Sequence, residues 1–119
     1  SEMCIRDRRL MSDKRLAPAL LAVLADPAHP WTMEIMAERC FLSRATFARH
    51  FARSYHQTPQ AWLSQLRLTL ASRMLMEEKQ ATVDAVAGRC GFLSLASFTQ
   101  AFKRLYGMTP GQYRKRTRA

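Results

Sequence analysis

The chain has 119 residues and a formal net charge of +10, with 48% apolar and 24% charged residues. That is the size of one domain, or of two very small ones on a shared scaffold, and no apolar run approaches the ~20 residues of a membrane span. All nine acids lie outside residues 39–76 and 85–119, while those two blocks carry thirteen of the nineteen lysines and arginines. A polyanion is the natural partner for such blocks, with a solvated basic face, an acidic protein or a membrane surface as the alternatives on charge alone.

Residues 1–9 are expected to be a non-native leader, because "MCIRDR" at 3–8 reads as the translation of a transposon-end adapter used in sequencing libraries. Nothing there has the form of a cleavable signal peptide, and a native upstream region is expected to have been lost. Residues 13–26 read as a first amphipathic helix with Leu16, Leu20, Leu21 and Leu24 on its apolar side, stopped by "DPAHP".

A short helix follows, with Thr32 as N-cap, Glu34 placing negative charge in the first turn, and Ile35, Met36 and Cys40 at helical spacing. Ser43 then caps a second helix whose Phe47 and Phe51, four residues apart, must face a core. His56 stands where a left-handed terminating residue is wanted, a poorer fit than glycine. Thr58 and Pro59 open a long helix running to about Glu78, with Trp62, Leu66, Leu70 and Met74 as one apolar stripe flanked by Leu63 and Leu75. Twenty residues of helix span ~30 Å.

The next segment repeats the first. Thr82, Ala87, Arg89 and Cys90 match Thr32, Ala37, Arg39 and Cys40, and Ser94, Phe98, Phe102, Arg104 and Tyr106 match Ser43, Phe47, Phe51, Arg53 and Tyr55. Pairing Phe41 with Phe92 and Leu42 with Leu93 makes Gly91 the one extra residue of the second copy. Thr82 and Asp84 open its first helix, Ser94 caps its second, and Gly107 suits the left-handed end. Thr109 and Gln112 form a capping box for a short last helix. No segment alternates as a strand does. The expected fold is all-α with about seven helices: two helix-turn-helix subdomains, 10–57 and 80–119, joined by a linking helix at 58–79.

A helix-turn-helix places its second helix in the major groove of DNA. With the phenylalanine pairs turned inward, the first such helix offers Arg44, Ala45, Thr46, Ala48, Arg49 and Arg53, and the second Leu95, Ala96, Ser97, Thr99, Gln100 and Lys103. The repeated residues build the scaffold twice, and the differing ones let each copy read different bases. Base contacts are expected from Arg44, Ala45, Thr46, Ala48, Arg49, Leu95, Ala96, Thr99 and Gln100. Phosphate contacts are expected from Ser43, Arg53, Ser94, Ser97, Lys103 and Arg104. Arg67, close to the apolar stripe, suits a structural role. Thr46 and Ser97 have the plainer reading of small surface residues.

The stretches "WTMEIMAERCFLSRATFARHF" and "VAGRCGFLSLASFTQAFKRLYGMTPGQYR", with Arg67 and Ala71 between them, resemble the DNA-binding domain of AraC/XylS-type bacterial transcriptional regulators over residues 13–114. The resemblance implies a two-lobed helical domain whose long helix joins two helix-turn-helix units on one asymmetric site. It also implies a separate sensing or dimerisation domain, here missing upstream, and a bacterial, cytoplasmic setting at the nucleoid. Two departures matter. Phe41 stands where the family has a first-turn glycine, at a cost of ~1–2 kcal/mol if the backbone there is left-handed, so the first turn is expected to differ. Gln100 stands where the family often has arginine, and glutamine pairs better with adenine than with guanine.

Cys4, Cys40 and Cys90 are odd in number and unclustered, and His29, His50 and His56 have no ligand spacing with them. A reducing cytosol and no metal or cofactor are therefore expected. No carboxylate pair, Gly-rich phosphate loop or nucleophile motif points to an enzyme. The rival reading is a protein-interaction module in which only the first unit reads DNA and the second, with Leu95 and Ala96 exposed, docks RNA polymerase or another partner. Double-stranded RNA is disfavoured because its deep, narrow groove does not admit a recognition helix.

Overall fold

The computed structural model describes residues 13–117. Among them are seven helices and no strand: α1 (Ala17–Ala25), α2 (Met33–Arg39), α3 (Arg44–Tyr55), α4 (Pro59–Glu77), α5 (Val83–Arg89), α6 (Leu95–Tyr106) and α7 (Pro110–Thr117). The expected leader at residues 1–9 lies outside the described residues. The chain divides into two compact units, one ending at Leu63 and the other beginning at Ser64, so the division falls inside α4.

In the first unit, the residues before α1 form a turn rather than helix. The Arg15 amide donates to Asp13 Oδ1 at 3.1 Å and the Leu16 amide to the Asp13 carbonyl at 3.2 Å, and Pro18 lies within the first turn of α1. Leu16, Ala19, Leu20 and Val23 are fully buried, whereas Leu21, expected on the apolar side, is 57% exposed. The buried positions 16, 19, 20 and 23 already complete a stripe at spacings of three and four, which turns residue 21 away from it. The Trp31 indole N–H donates to the Asp26 carbonyl at 2.7 Å, and the Arg39 guanidinium lies 5.6 Å from its ring centre, which ties the loop before α2 to that helix. Phe47 and Phe51 have no exposed surface, and Phe51 packs on Tyr55 and Trp62 at 4.7 and 5.8 Å. Each such burial is worth ~1.5–3 kcal/mol.

The core of the second unit gathers Leu68, Ala71, Leu75, Val86, Ala87, Cys90, Phe98 and Phe102. The expected stripe on the long helix is corrected here: Leu70 and Met74 are half-buried, and Leu68, Ala71 and Leu75 supply the buried positions. A strict spacing of four drifts around a helix of 3.6 residues per turn, so it leaves the packed face within two turns. At the end of α4 the Arg114 guanidinium donates to the carbonyls of Leu75 and Glu78 at 3.1 and 3.3 Å, supplying partners for carbonyls a helix terminus leaves unsatisfied. Thr109 and Gln112 form the reciprocal capping box, at 3.2 and 3.0 Å.

The four caps expected in the repeated segments are present. Thr32, Ser43, Thr82 and Ser94 each accept, through the side-chain oxygen, the amide three residues on, at 3.0 to 3.2 Å. His56 and Gly107 both end their helices left-handed, with φ 57° and 78°.

The two turns correct the sequence alignment. Phe41 has φ 57° and Gly91 φ 96°. The Phe41 and Gly91 amides donate to Glu38 and Gly88, and the Leu42 and Phe92 amides to Ala37 and Ala87, at 3.0 to 3.1 Å. Phe41 therefore corresponds to Gly91 and Leu42 to Phe92. The extra residue of the second copy is Leu93, which is fully exposed. The first turn does not adopt a different path: it keeps the left-handed backbone with a phenylalanine in it.

Candidate nucleic-acid interface

The caps and turns fix where α3 and α6 begin, and the buried phenylalanines fix their rotation. With Phe47, Phe51 and Tyr55 inward, the opposite face of α3 carries Ala45, Arg49 and Arg53, all exposed, with Thr46 half-buried beside them. The same geometry on α6 exposes Ala96, Ser97, Gln100 and Arg104, with Lys103 alongside. Ala48 and Thr99, expected to face outward, are half-buried. At 100° per residue each lies well to one side of the outward centre, on the flank of its helix. Leu95, in the first turn of α6, is 44% exposed.

Polar contacts on α3 tie several expected site residues together. The Ser43 hydroxyl donates to Thr46 Oγ1 at 2.9 Å, and Arg49 Nη2 donates to the same oxygen at 3.3 Å. Thr46 thus steadies Arg49 on the exposed face. Arg44 Nη1 lies 3.5 Å from Glu34 Oε1, an exposed ion pair between α2 and α3. On α6 the Ser94 hydroxyl makes the same 2.9 Å contact with Ser97, but no arginine follows it at the position of Arg49.

Neither α3 nor α6 contains an acid. The turn before α1 brings further basic groups against α3. Arg15 Nη1 donates to His50 Nε2 at 3.0 Å, and the Ser54 hydroxyl donates to Asp13 Oδ2 at 3.0 Å. Sequence reasoning missed Lys14, Arg15 and His50 as a group, because no periodicity links residues 35 positions apart.

The remaining titratable groups of note are internal. Burial pushes the Cys40 thiol up and the Cys90 thiol to about 11. Burial likewise lowers the Arg67 guanidinium below its usual value, in keeping with the half-buried, structural place expected for it.

Residues 36–116 match a family described as a helix-turn-helix domain. The chain is 40% identical over 102 residues to the HTH-type transcriptional regulator AlkR of Acinetobacter baylyi, covering 86% of this chain and 33% of that protein. It is 39% identical over 109 residues to the transcriptional activator RclR of Escherichia coli, covering 92% of this chain and 38% of that one. The chain thus spans about a third of the length of the curated relatives it matches. Among solved structures, the DNA-binding domain of the transcriptional factor AdpA in complex with a target DNA superposes with a TM-score of 0.83 at 35% identity, over 87% of this chain and 92% of that one.

Proposed function

The chain belongs to the AraC-type helix-turn-helix DNA-binding domains, and from that premise we propose that it reads double-stranded DNA by sequence as the DNA-binding part of a bacterial transcriptional regulator. The observation that carries the reading is the pair of acid-free helices, α3 and α6, each set by the same serine cap and phenylalanine pair and each exposing small polar or basic residues away from them. The solved AdpA domain is bound to its target DNA, which supports DNA as the ligand.

In this reading α3 and α6 enter successive major grooves of an asymmetric site. Arg49 bridges guanine O6 and N7, Gln100 pairs with adenine, and Ala45, Thr46, Leu95 and Ala96 make close or apolar contacts with base edges. Arg44 joins them once released from Glu34. Ala48 and Thr99 contact the groove wall from the helix flank. Ser43, Arg53, Ser94, Ser97, Lys103 and Arg104 hold phosphates, which supply most of the affinity. A sensing or dimerisation domain in the remainder of the full-length protein, RNA polymerase as a partner and a cytoplasmic, nucleoid-associated setting complete the proposal.

Selection from random DNA followed by footprinting tests it. The expected result is one asymmetric motif of ~20 bp, and failure to enrich any motif would overturn it. Arg44→Ala with Arg49→Ala is expected to abolish specific binding and reduce the salt slope. Thr99→Ala with Gln100→Ala is expected to leave the slope nearly unchanged and broaden one half of the motif. The exposure of Leu93 and Leu95 at the start of α6 favours, as second reading, a second unit that docks a protein; a footprint of half the length would select it.

A further inference from the structure

On the first unit, beside α3, lies an open cleft of about 400 Å³ lined by Asp13, Lys14, Arg15, His50 and Arg53, the last of which is on the exposed face of that helix. Three of these five residues are cations and one is an acid. Both oxygens of that acid are already engaged, Oδ1 by the Arg15 amide at 3.1 Å and Oδ2 by the Ser54 hydroxyl at 3.0 Å. Asp13 therefore acts as the clip that holds the turn against α3, and one negative charge remains against three positive ones.

The Arg15 side chain is aimed by His50. A guanidinium has five N–H donors and no acceptor, so the 3.0 Å contact requires His50 Nε2 to accept. One donor of Arg15 is used, and the residue lines the cleft. Among the described residues no ion pair engages Lys14, Arg15 or Arg53, in contrast to Arg44 and Arg89, which are paired with Glu34 and Glu78. Unpaired cations gathered in a concave site, with Arg15 held there by its hydrogen bond to His50, form a receptor for a tetrahedral oxyanion.

We infer that this cleft binds one backbone phosphate of the DNA duplex, with Arg15 as the principal donor, Arg53 and Lys14 as further cations and His50 as the residue that positions Arg15. The inference rests on the DNA-binding reading and deepens it. It adds to the footprint a contact from the turn before α1, outside both duplicated segments. Because a phosphate is the same whatever the base, the contact contributes affinity and register and no sequence preference.

The test is salt-titrated binding of wild type and Arg15→Ala to the selected site and to an unrelated duplex, together with a scan of single neutral methylphosphonates along the selected site. Losing one phosphate contact lowers the salt slope by ~0.9. Arg15→Ala is expected to show that decrement, to weaken both duplexes by the same factor and to leave the selected motif unchanged. One methylphosphonate position should weaken wild type and have no further effect on the variant. Arg15→Lys, which keeps one charge, is expected to retain the slope. An unchanged slope and affinity in Arg15→Ala would overturn the inference while leaving the DNA-binding reading standing. A broadened motif with an unchanged slope would do the same, by showing that the cluster only orients α3. Chemical shifts at His50 on adding inorganic phosphate, without any Arg15-dependent methylphosphonate position, would assign the cleft to a free anion and overturn it as well. Absence of any selected motif for wild type would overturn both readings.

Discussion

The left-handed phenylalanine in the first turn gives the sharpest quantitative expectation. Phe41 has φ 57° and its side chain is 95% exposed, so packing offsets almost none of its backbone strain. A residue with a β-carbon held left-handed costs ~1–2 kcal/mol. Glycine there removes that cost but gives back ~0.4–1 kcal/mol through the greater freedom of the unfolded chain. Phe41→Gly is therefore expected to stabilise the first unit by about 1 kcal/mol, raising Tm by ~4–8 °C if the unit melts as a small domain. Gly91→Ala, at φ 96° in the corresponding turn, should destabilise by at least ~1 kcal/mol. Phe41→Ala separates strain from the ring, because alanine keeps the β-carbon; it should stay within ~0.5 kcal/mol of wild type. Thermal and urea unfolding followed by far-UV circular dichroism reads all three. A loss of stability in Phe41→Gly, matched by a similar loss in Phe41→Ala, would refute the argument by showing that the ring packs on something.

Further expectations follow from burial and pairing. Phe98 is fully buried and Thr99 half-buried, so Phe98→Ala should cost ~3–5 kcal/mol and Thr99→Ala well under half of that in the same unfolding assay. Arg114→Ala removes two donors from the end of α4 and should destabilise by ~1.5–3 kcal/mol; Arg114→Lys should recover only part of it. The exposed Glu34–Arg44 pair is worth at most ~1 kcal/mol, so Glu34→Gln should barely change folding and should strengthen DNA binding by up to about fivefold, measured as Kd at fixed salt. The folded-state pKa of Cys90 is raised from 9.0 to about 11, so stability is fully present below pH 9 and falls as pH rises from there toward 11; Cys90→Ala should flatten that alkaline limb.

Much of this architecture was legible because it is written locally. A serine or threonine three residues before the amide it caps, and two phenylalanines four apart, specify where a helix starts and which way it faces without reference to the rest of the chain. Those signals located α2, α3, α5 and α6. Legibility failed where a choice depended on neighbours distant in sequence. Leu20, Leu21 and Leu24 are equally apolar, and only packing against the rest of the unit selects Leu20 for full burial and leaves Leu21 out. The turns misled for another reason. Matching Phe41 to Phe92 and Leu42 to Leu93 maximises identity, but backbone hydrogen bonds match Phe41 to Gly91, and a φ value is not visible in a side chain. The Arg15–His50 contact spans 35 positions and leaves no periodic trace.

The two copies also separate a charge they share from one they do not. Glu34 and Asp84 occupy the same place in the first turn of α2 and α5, where an acid is favoured by the helix dipole whatever lies opposite. Opposite Glu34 stands Arg44, and at the corresponding first position of α6 stands Leu95. The acid is thus common to both copies while its cation occurs in only one, so the ion pair follows from the arginine at the start of α3 rather than from the fold's need for a bridge. It follows that Asp84→Asn should leave DNA affinity within about twofold of wild type, a change of only ~0.4 kcal/mol, where Glu34→Gln strengthens it. Equal gains from both would mean that the effect is general repulsion of phosphate by an acid, not the release of Arg44.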